Sequence, residues 1–119
     1  MRIDRFEDIE AWQLARELTR KVYGLTKKAK FSRDFGLKRQ IQDAAGSSMH
    51  NIAEGFDSET NPEFVRFLRY AKRSCTEVQS ELYPAAIGGI QFPRCLNYLD
   101  RISSKGRSAR FKMPAATLP

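Results

Sequence analysis

The chain of 119 residues has few of the residue types on which catalytic and metal sites depend. It contains one histidine, His50, and two cysteines, Cys75 and Cys95, which form neither a CxxC pair nor a zinc-ligand spacing. It lacks a glycine-rich phosphate loop, paired catalytic carboxylates and a nucleophile beside a base. His50 and Glu54 could share one helical face, but the Glu-x-x-His pairs of di-iron bundles are absent. We expect a non-enzymatic protein without metal, cofactor or small-molecule substrate.

Long apolar runs are also missing. No run approaches the roughly 18 residues of a membrane-spanning helix, and the early acidic residues Asp4, Glu7 and Asp8 argue against a signal peptide. Two cysteines without a framework spacing indicate reduced thiols. These features predict a cytoplasmic protein with no membrane partner.

Charge is abundant and unevenly distributed. The formal net charge is +7, from 21 basic and 14 acidic side chains. Residues 1–60 carry 11 basic and 10 acidic side chains, whereas residues 61–119 carry 10 basic and 4 acidic ones. The second half is therefore the basic half, which indicates either a polyanionic partner or a role of charge in solubility.

The stretch 37–56 organises the rest of the chain. Its apolar and small residues follow the three-and-four spacing of a helix: Leu37, Ile41, Ala44, Ala45, Ser48, Ile52 and Phe56. The middle, 44–48, has little side-chain volume, and Gly46 should cost roughly 1 kcal/mol of helix stability relative to alanine. We expect neighbouring helices to approach closely at this point.

A first helix should precede this central one. An acid, Asp4 or Asp8, can cap it, and its apolar repeat predicts an end near Lys30. The short polar connection 31–36 makes the two helices antiparallel neighbours. Facing pairs should then include Trp12 with Ile52 and Leu18 with Ala45.

A third helix should start at a capping box, Thr60 to Glu63, with Pro62 in its first turn, and run to about Ile87. The short turn before it predicts that Ser74 faces Ala44. The same register places Arg66 opposite Glu54; the alternative is that Glu54 faces another subunit.

Gly88 and Gly89 should end the third helix, and Pro93 can open a fourth of about three turns. We predict an all-α, antiparallel up-and-down four-helix bundle at 1–104 and a mobile basic tail at 105–119. A short fourth helix leaves apolar surface on its neighbours uncovered, which predicts a homo-oligomer.

Two sets of basic residues lie at helical spacing. The first, on the third helix, consists of Arg66, Arg69, Lys72 and Arg73. The second, on the first helix, consists of Arg16, Arg20, Lys21, Lys27 and Lys28. Each set is either a solvated face or a surface that neutralises nucleic-acid phosphates.

The chain resembles the bacterial four-helix bundle family encoded in intervening sequences of the large-subunit ribosomal RNA gene. The resemblance covers about residues 4–100 and is strongest at the NIAEG stretch, 51–55, with Ser48 before it. It continues in the aromatic third helix. The matching residues are Trp12, Ala15 to Leu18, Val22, Tyr23, Phe35 to Leu37, Gln40, Ile41, Ser48, Asn51 to Gly55, Phe64, Phe67, Leu68, Ala71, Ser74, Glu77 and Leu82.

This resemblance implies a cytosolic up-and-down bundle that assembles as a homopentamer, with no catalytic residue. A related branch is similar to the accessory variability protein of diversity-generating retroelements, which partners a reverse transcriptase and binds nucleic acid through a basic surface. The C-terminus departs from the family, in which the fourth helix usually runs longer. We expect a protein that binds RNA or a nucleoprotein through the basic residues above; the alternative is a structural or adaptor protein that docks a protein partner.

Overall fold

The computed structural model describes residues 3–87. In this range a 3₁₀ helix precedes four α-helices, and no strand occurs. The predicted all-α class is confirmed for this part of the chain. The elements are the 3₁₀ helix Phe6–Asp8, α1 (Glu10–Leu25), α2 (Ala29–Ser32), α3 (Phe35–Phe56) and α4 (Asn61–Ile87).

The two long helices α3 and α4 are the predicted second and third helices. The cap of α4 is the predicted one, because Thr60 Oγ1 accepts a hydrogen bond from the Glu63 backbone N–H at 3.3 Å. At α3, Asp34 Oδ1 accepts from the Leu37 N–H at 3.2 Å. This cap starts α3 at Phe35, two residues before the predicted start.

The predicted end of α1 near Lys30 is wrong, because α1 ends at Leu25. Thr26 follows it and is buried, with its hydroxyl donating to the Tyr23 carbonyl at 2.9 Å. The same hydroxyl accepts from Gln42 Nε2 on α3 at 2.9 Å. Thr26 thus satisfies a terminal carbonyl of α1 and joins that end to α3.

Two smaller predictions about these connections are also wrong. The N-cap of α1 is Ile9, which has no capping side chain, so neither Asp4 nor Asp8 caps the helix. The connection at 31–36 is not wholly polar or irregular, since the short α2 buries Phe31 against the core. The buried ring of Phe31 anchors the connection between α1 and α3.

The core lies around α3, which contacts both α1 and α4. Ala44, Ala45 and Ser48 are buried, and Thr19 Oγ1 of α1 donates to the Ala45 carbonyl at 3.0 Å. This contact lies one residue from the predicted Leu18–Ala45 pair. The buried apolar side chains are Ile9, Ala11, Leu14, Ala15, Leu18, Val22, Phe31, Ile41, Ala44, Ala45, Ile52, Phe64, Leu68, Ala71, Cys75, Val78 and Leu82.

The predicted close approach at the middle of α3 is supported on both sides, since Ala45 accepts from Thr19 of α1 and Ser47 bonds to Ser74 of α4. Gly46 itself, however, faces no neighbouring helix. A Cβ built on Gly46 would meet only the ring of His50, four residues on in the same helix, at 3.7 Å. A Cβ on Gly55 would lie 2.6 Å from the Cβ of Phe67 on α4. A contact with α4 that leaves no room for a side chain therefore occurs at Gly55, near the C-terminal end of α3.

The register between α3 and α4 also differs from the prediction. Ser74 Oγ donates to Ser47 Oγ at 3.0 Å, whereas Ala44 is the predicted partner of Ser74. The difference of three residues is close to one helical turn. The contact of Gly55 with Phe67 shows the same displacement, so the whole α3–α4 contact is shifted by about one turn from the predicted register.

Several predictions lie outside the described residues. These are the fourth helix from Pro93, the tail at 105–119 and the boundary between them.

Trp12 lies within the described range, where it is half-buried against the core and meets the Phe6 ring edge-on at 5.2 Å between centroids. None of the helices in residues 3–87 has the length and apolarity needed to cross a membrane.

Candidate nucleic-acid interface

The first candidate surface is the α4 ridge, which we define as Arg66, Arg69, Lys72 and Arg73. All four side chains are exposed. They lie on one helix whose opposite side is buried through Phe64, Leu68, Ala71 and Cys75. Between residues 61 and 76 the helix carries a single acid, Glu63. The ridge is therefore a short, rigidly spaced row of cations on the outer side of a packed helix.

Arg66 has the most neighbours in this ridge. Its Nη2 donates to Glu63 Oε2 at 2.8 Å, one helical turn earlier. Its Cζ also lies 5.8 Å from the ring centroid of Phe67 and 5.8 Å from that of Tyr70. The predicted pairing of Arg66 with Glu54 is not formed, because the nearer carboxylate is on its own helix.

Arg73 shares the Tyr70 ring with Arg66, its Cζ lying 5.8 Å from the same centroid. Tyr70 is half-buried and meets Phe67 edge-on at 5.8 Å. Arg69 and Lys72 form no ion pair within residues 3–87. The ridge thus combines two arginines held over an aromatic ring with two unpaired cations.

The second candidate surface, the α1 strip, consists of Arg16, Arg20, Lys21, Lys27 and Lys28. Arg20 pairs with Glu17 at 3.3 Å, and Arg16 lies 6.0 Å from the Trp12 ring centroid. Because α1 ends at Leu25, Lys27 and Lys28 lie in the turn before α2 and not on the helix. The strip is therefore not the continuous helical row that the sequence predicts, and one of its cations is partly neutralised.

The structure does not bring these two surfaces together. Both α1 and α4 pack against α3, which lies between them. A groove of about 320 Å³ runs along α3 and contains two carboxylates, Asp43 and Glu54. Because the two surfaces lie on helices that both pack on α3, each surface is a separate candidate. The groove is lined by Tyr23, Gln42, Asp43, Gly46, Ser47, His50, Asn51 and Glu54.

The NIAEG stretch contributes to the contact between α3 and α4. Asn51 Nδ2 donates to the Ser47 carbonyl at 2.9 Å and to Ser47 Oγ at 3.0 Å. Ser47 in turn accepts from Ser74 of α4. Glu54 is exposed and forms no ion pair within the described residues. Asn51 and Gly55 therefore serve packing, whereas the side chain of Glu54 is exposed.

Further polar groups lie where α4 continues past the groove. The pKa of the Glu81 carboxyl is raised to about 7, chiefly by burial and in smaller part by the neighbouring carboxylates Glu77 and Asp43. Its Oε1 is buried without a hydrogen-bond partner among the described residues. Acidic groups thus adjoin the groove from α4 as well as from α3.

Residues with catalytic or metal-binding chemistry are not assembled into a site in the described range. No group of three or more His, Cys, Asp or Glu within residues 3–87 could hold a metal ion. Cys75 is buried, and burial raises the pKa of its thiol to about 12 despite a hydrogen bond with Ser48 that lowers it. A thiol with that pKa is not a nucleophile near neutral pH. The absence of an enzymatic role stays a prediction.

Sequence reasoning missed the aromatic part of the α4 ridge. The pattern of basic residues includes neither Tyr70 nor Phe67, yet both rings lie against ridge arginines. The available signal is spacing, because Tyr70 is four residues after Arg66 and three before Arg73. Residues three and four apart are neighbours on a helix surface.

A family model described as 23S rRNA-intervening sequence protein matches residues 7–92, which is more than half of the chain. The matched region includes α1, α3, α4, both candidate surfaces and the NIAEG stretch. No curated protein matches the chain.

Proposed function

The chain belongs to the 23S rRNA-intervening sequence protein family, and we propose that it is a non-enzymatic oligomeric bundle that binds RNA, free or within a nucleoprotein. The observation that carries this proposal is the α4 ridge. It presents four exposed cations within eight residues, next to a single acid, on a helix that the core holds in place. Such a surface matches the charge of a phosphate backbone.

The contact is to phosphates and not to bases. No base-reading motif is present in the sequence, so binding depends on charge and on the shape of the RNA. The α4 ridge is the main contact, because Arg69 and Lys72 are unpaired in the described structure. The α1 strip is a secondary contact, since Lys27 and Lys28 lie after the end of α1 and do not continue its row.

The test is a charge reversal of the ridge, Arg66→Glu with Arg69→Glu and Arg73→Glu, measured by fluorescence anisotropy with a short labelled RNA over a salt series. Each lost phosphate contact should reduce the slope of log K against log salt by about 0.7. Three lost contacts should flatten it by roughly 2. The matched control reverses Arg16, Arg20 and Lys27, with the same change of net charge.

The ridge variant should lose most of the affinity, and the α1 variant should lose less. Equal losses would show that net charge and not the ridge is responsible. If the ridge variant binds RNA as the unchanged protein does, the proposal fails and the adaptor function becomes the better one. Wild-type affinity that does not change with salt would likewise contradict phosphate binding.

The bundle is proposed to be an antiparallel up-and-down four-helix assembly completed by residues after Ile87. The contacts of α3 with α4 support this, because Gly55 meets Phe67 while Ser47 meets Ser74, so residue numbers rise on one helix as they fall on the other. The basic residues at 105–119 would follow the bundle as a tail. The proposed location is the cytoplasm.

The proposed assembly is a homo-oligomer, with five copies as in the family resemblance. Among the residues that the structure describes, three large apolar side chains are exposed: Tyr23, Phe35 and Tyr83. Glu54, without a partner in the described residues, is proposed to face a second subunit. Light scattering that gave a single-chain mass at micromolar concentration would contradict this.

An adaptor function is the second candidate, and the α3 groove is the observation that favours it. The groove offers an exposed tyrosine, Tyr23, beside the carboxylates Asp43 and Glu54, a combination suited to a basic protein segment. If RNA binding is absent, a Tyr23→Ala and Glu54→Ala variant should lose a protein partner that the ridge variant keeps.

A further inference from the structure

We propose that Tyr70 is a positioning residue of the α4 ridge: its ring holds the guanidinium groups of Arg66 and Arg73 together, so that both contact phosphates of one RNA strand. This inference rests on the proposed function and deepens it. An uncharged side chain thus orients part of the contact. The ridge then consists of two arginines held by the ring, Arg66 and Arg73, and two cations without this support, Arg69 and Lys72.

The evidence is the arrangement of two arginines around one ring. The Cζ atoms of Arg66 and Arg73 each lie 5.8 Å from the Tyr70 centroid, within the range of a cation–π contact. The ring itself is fixed, since Tyr70 is half-buried and meets Phe67 edge-on at 5.8 Å. Two flexible side chains therefore converge on a rigid support.

This convergence limits the separation of the two charges. Because both Cζ atoms lie at the same distance from one centroid, they are at most twice that distance apart. A single strand advances roughly 3.4 Å of helix axis per phosphate, so the pair spans at most about three phosphates. Of the two guanidinium groups only that of Arg66 is paired with an acid, Glu63, so the pair keeps an excess of positive charge that favours an anionic strand.

Holding the side chains in advance also lowers the cost of binding. A free arginine loses rotamer freedom when it contacts a phosphate, whereas one already held over a ring loses less. Arg69 and Lys72 have no such support among the described contacts, so they provide an internal comparison within the same helix. The proposal is that the held pair contributes more affinity for each charge than the free pair.

The test changes the ring without changing charge. Tyr70→Leu should lower the affinity for a short labelled RNA by roughly three- to ten-fold, because two arginine side chains that the ring holds in advance must then be ordered on binding. Tyr70→Phe keeps the ring and should bind within about two-fold of the unchanged protein. Circular dichroism and thermal melting of each variant show whether the helix stays folded at the assay temperature.

A second variant keeps the proposal falsifiable if Tyr70→Leu unfolds. Arg66→Lys with Arg73→Lys keeps both charges at exposed positions but replaces planar, weakly hydrated groups by compact, strongly hydrated ones. It should lower the affinity by a similar factor, whereas Arg69→Lys should have little effect. In the folded leucine variant, adding the two lysine changes should cause little further loss.

The outcomes separate this inference from the proposed function. If the ridge charge reversals abolish binding but both Tyr70→Leu and the lysine variant bind normally, the arginines act without the ring and the inference is wrong. If Tyr70→Phe loses as much affinity as Tyr70→Leu, the hydroxyl and not the ring is responsible, which also overturns it. If the charge reversals have no effect, the proposed function itself fails.

Discussion

The two glycines of α3 lie in very different surroundings. Gly46, in the volume-poor middle, has only a side chain of its own helix near the place where a Cβ would be. Gly55, nine residues later, lies against Phe67 of α4 so closely that a Cβ cannot fit without movement. The comparison shows that low side-chain volume does not by itself identify a close helix contact; the position of the neighbouring helix does.

The same contrast extends along the α3–α4 contact. Its Gly55 end is apolar and tight, with Phe56 and Phe64 edge-on at 6.4 Å between centroids. Its middle is bridged by Ser47 and Ser74. At its other end the carboxylates of Glu77 and Asp43 lie near that of Glu81. Packing therefore stabilises one end of the contact, and like charge works against the other.

The largest expected effect is that of Gly55→Ala. The new methyl group would lie 2.6 Å from Phe67 Cβ, so the helices must separate or Phe67 must move, at a cost of about 1–3 kcal/mol. Chemical denaturation followed by circular dichroism measures this loss of unfolding free energy. An unchanged midpoint would show that the two helices are not in close contact at this point.

Gly46→Ala is expected to increase the free energy of unfolding, in contrast to Gly55→Ala. The Cβ would make ordinary contact with His50 at 3.7 Å, and the helix should gain roughly 0.5–1 kcal/mol because alanine has less backbone freedom to lose. The same denaturation series serves as the measurement. Destabilisation comparable to that of Gly55→Ala would mean that another chain packs on this part of α3 in solution.

Ser74→Ala, at the middle of the α3–α4 contact, should destabilise the protein less than Gly55→Ala does. The change removes the hydrogen bond to Ser47 Oγ, whose net contribution is about 0.5–1.5 kcal/mol in a partly buried site. Ser80→Ala, at an exposed position on the same helix, is the matched control. Equal midpoints for the two variants would argue against the observed α3–α4 register.

The smallest effect concerns pH at the acidic end of the contact. The pKa of Glu81 is raised from 4.5 to about 7 in the folded protein, so the folded state binds this proton more tightly than the unfolded state does. The resulting stabilisation is present below 4.5 and is lost as the pH rises to about 7.

Glu81→Gln tests this pH dependence. The variant should be less sensitive than the unchanged protein to a rise in pH across that window, as seen by thermal melting at successive pH values. The difference should be modest because the side chain is only partly buried. Parallel curves for the two proteins would show that Glu81 does not titrate in this range.

Local signals predicted much of this fold. The start of α4 follows from Thr60, whose hydroxyl caps the helix. The buried face of α3 follows from the spacing of Ala44, Ala45 and Ser48. The end of α1 could not be predicted in this way. Thr26 ends it by bonding to Tyr23 and to Gln42, and the second of these partners lies on another helix.

The candidate interface was also predicted only in part, because some of its features depend on contacts between helices. Helical spacing identified Arg66, Arg69 and Arg73 as one exposed row, because neighbours on a helix surface follow from sequence distance alone. The separation of the α4 ridge from the α1 strip was not foreseen, since it depends on α3 lying between the two helices. The choice of Glu63 over Glu54 as the partner of Arg66 likewise required the actual register.

By itself the sequence determined the helical class, the faces that each long helix buries and the excess of positive charge, because these depend on composition and on spacing within one segment. Only the tertiary structure decided that Gly55 and not Gly46 admits the neighbouring helix, and that the acids of α3 lie between two basic surfaces. These features depend on how one helix is displaced and turned against the next, and a shift of one turn changes every partner without changing any local pattern.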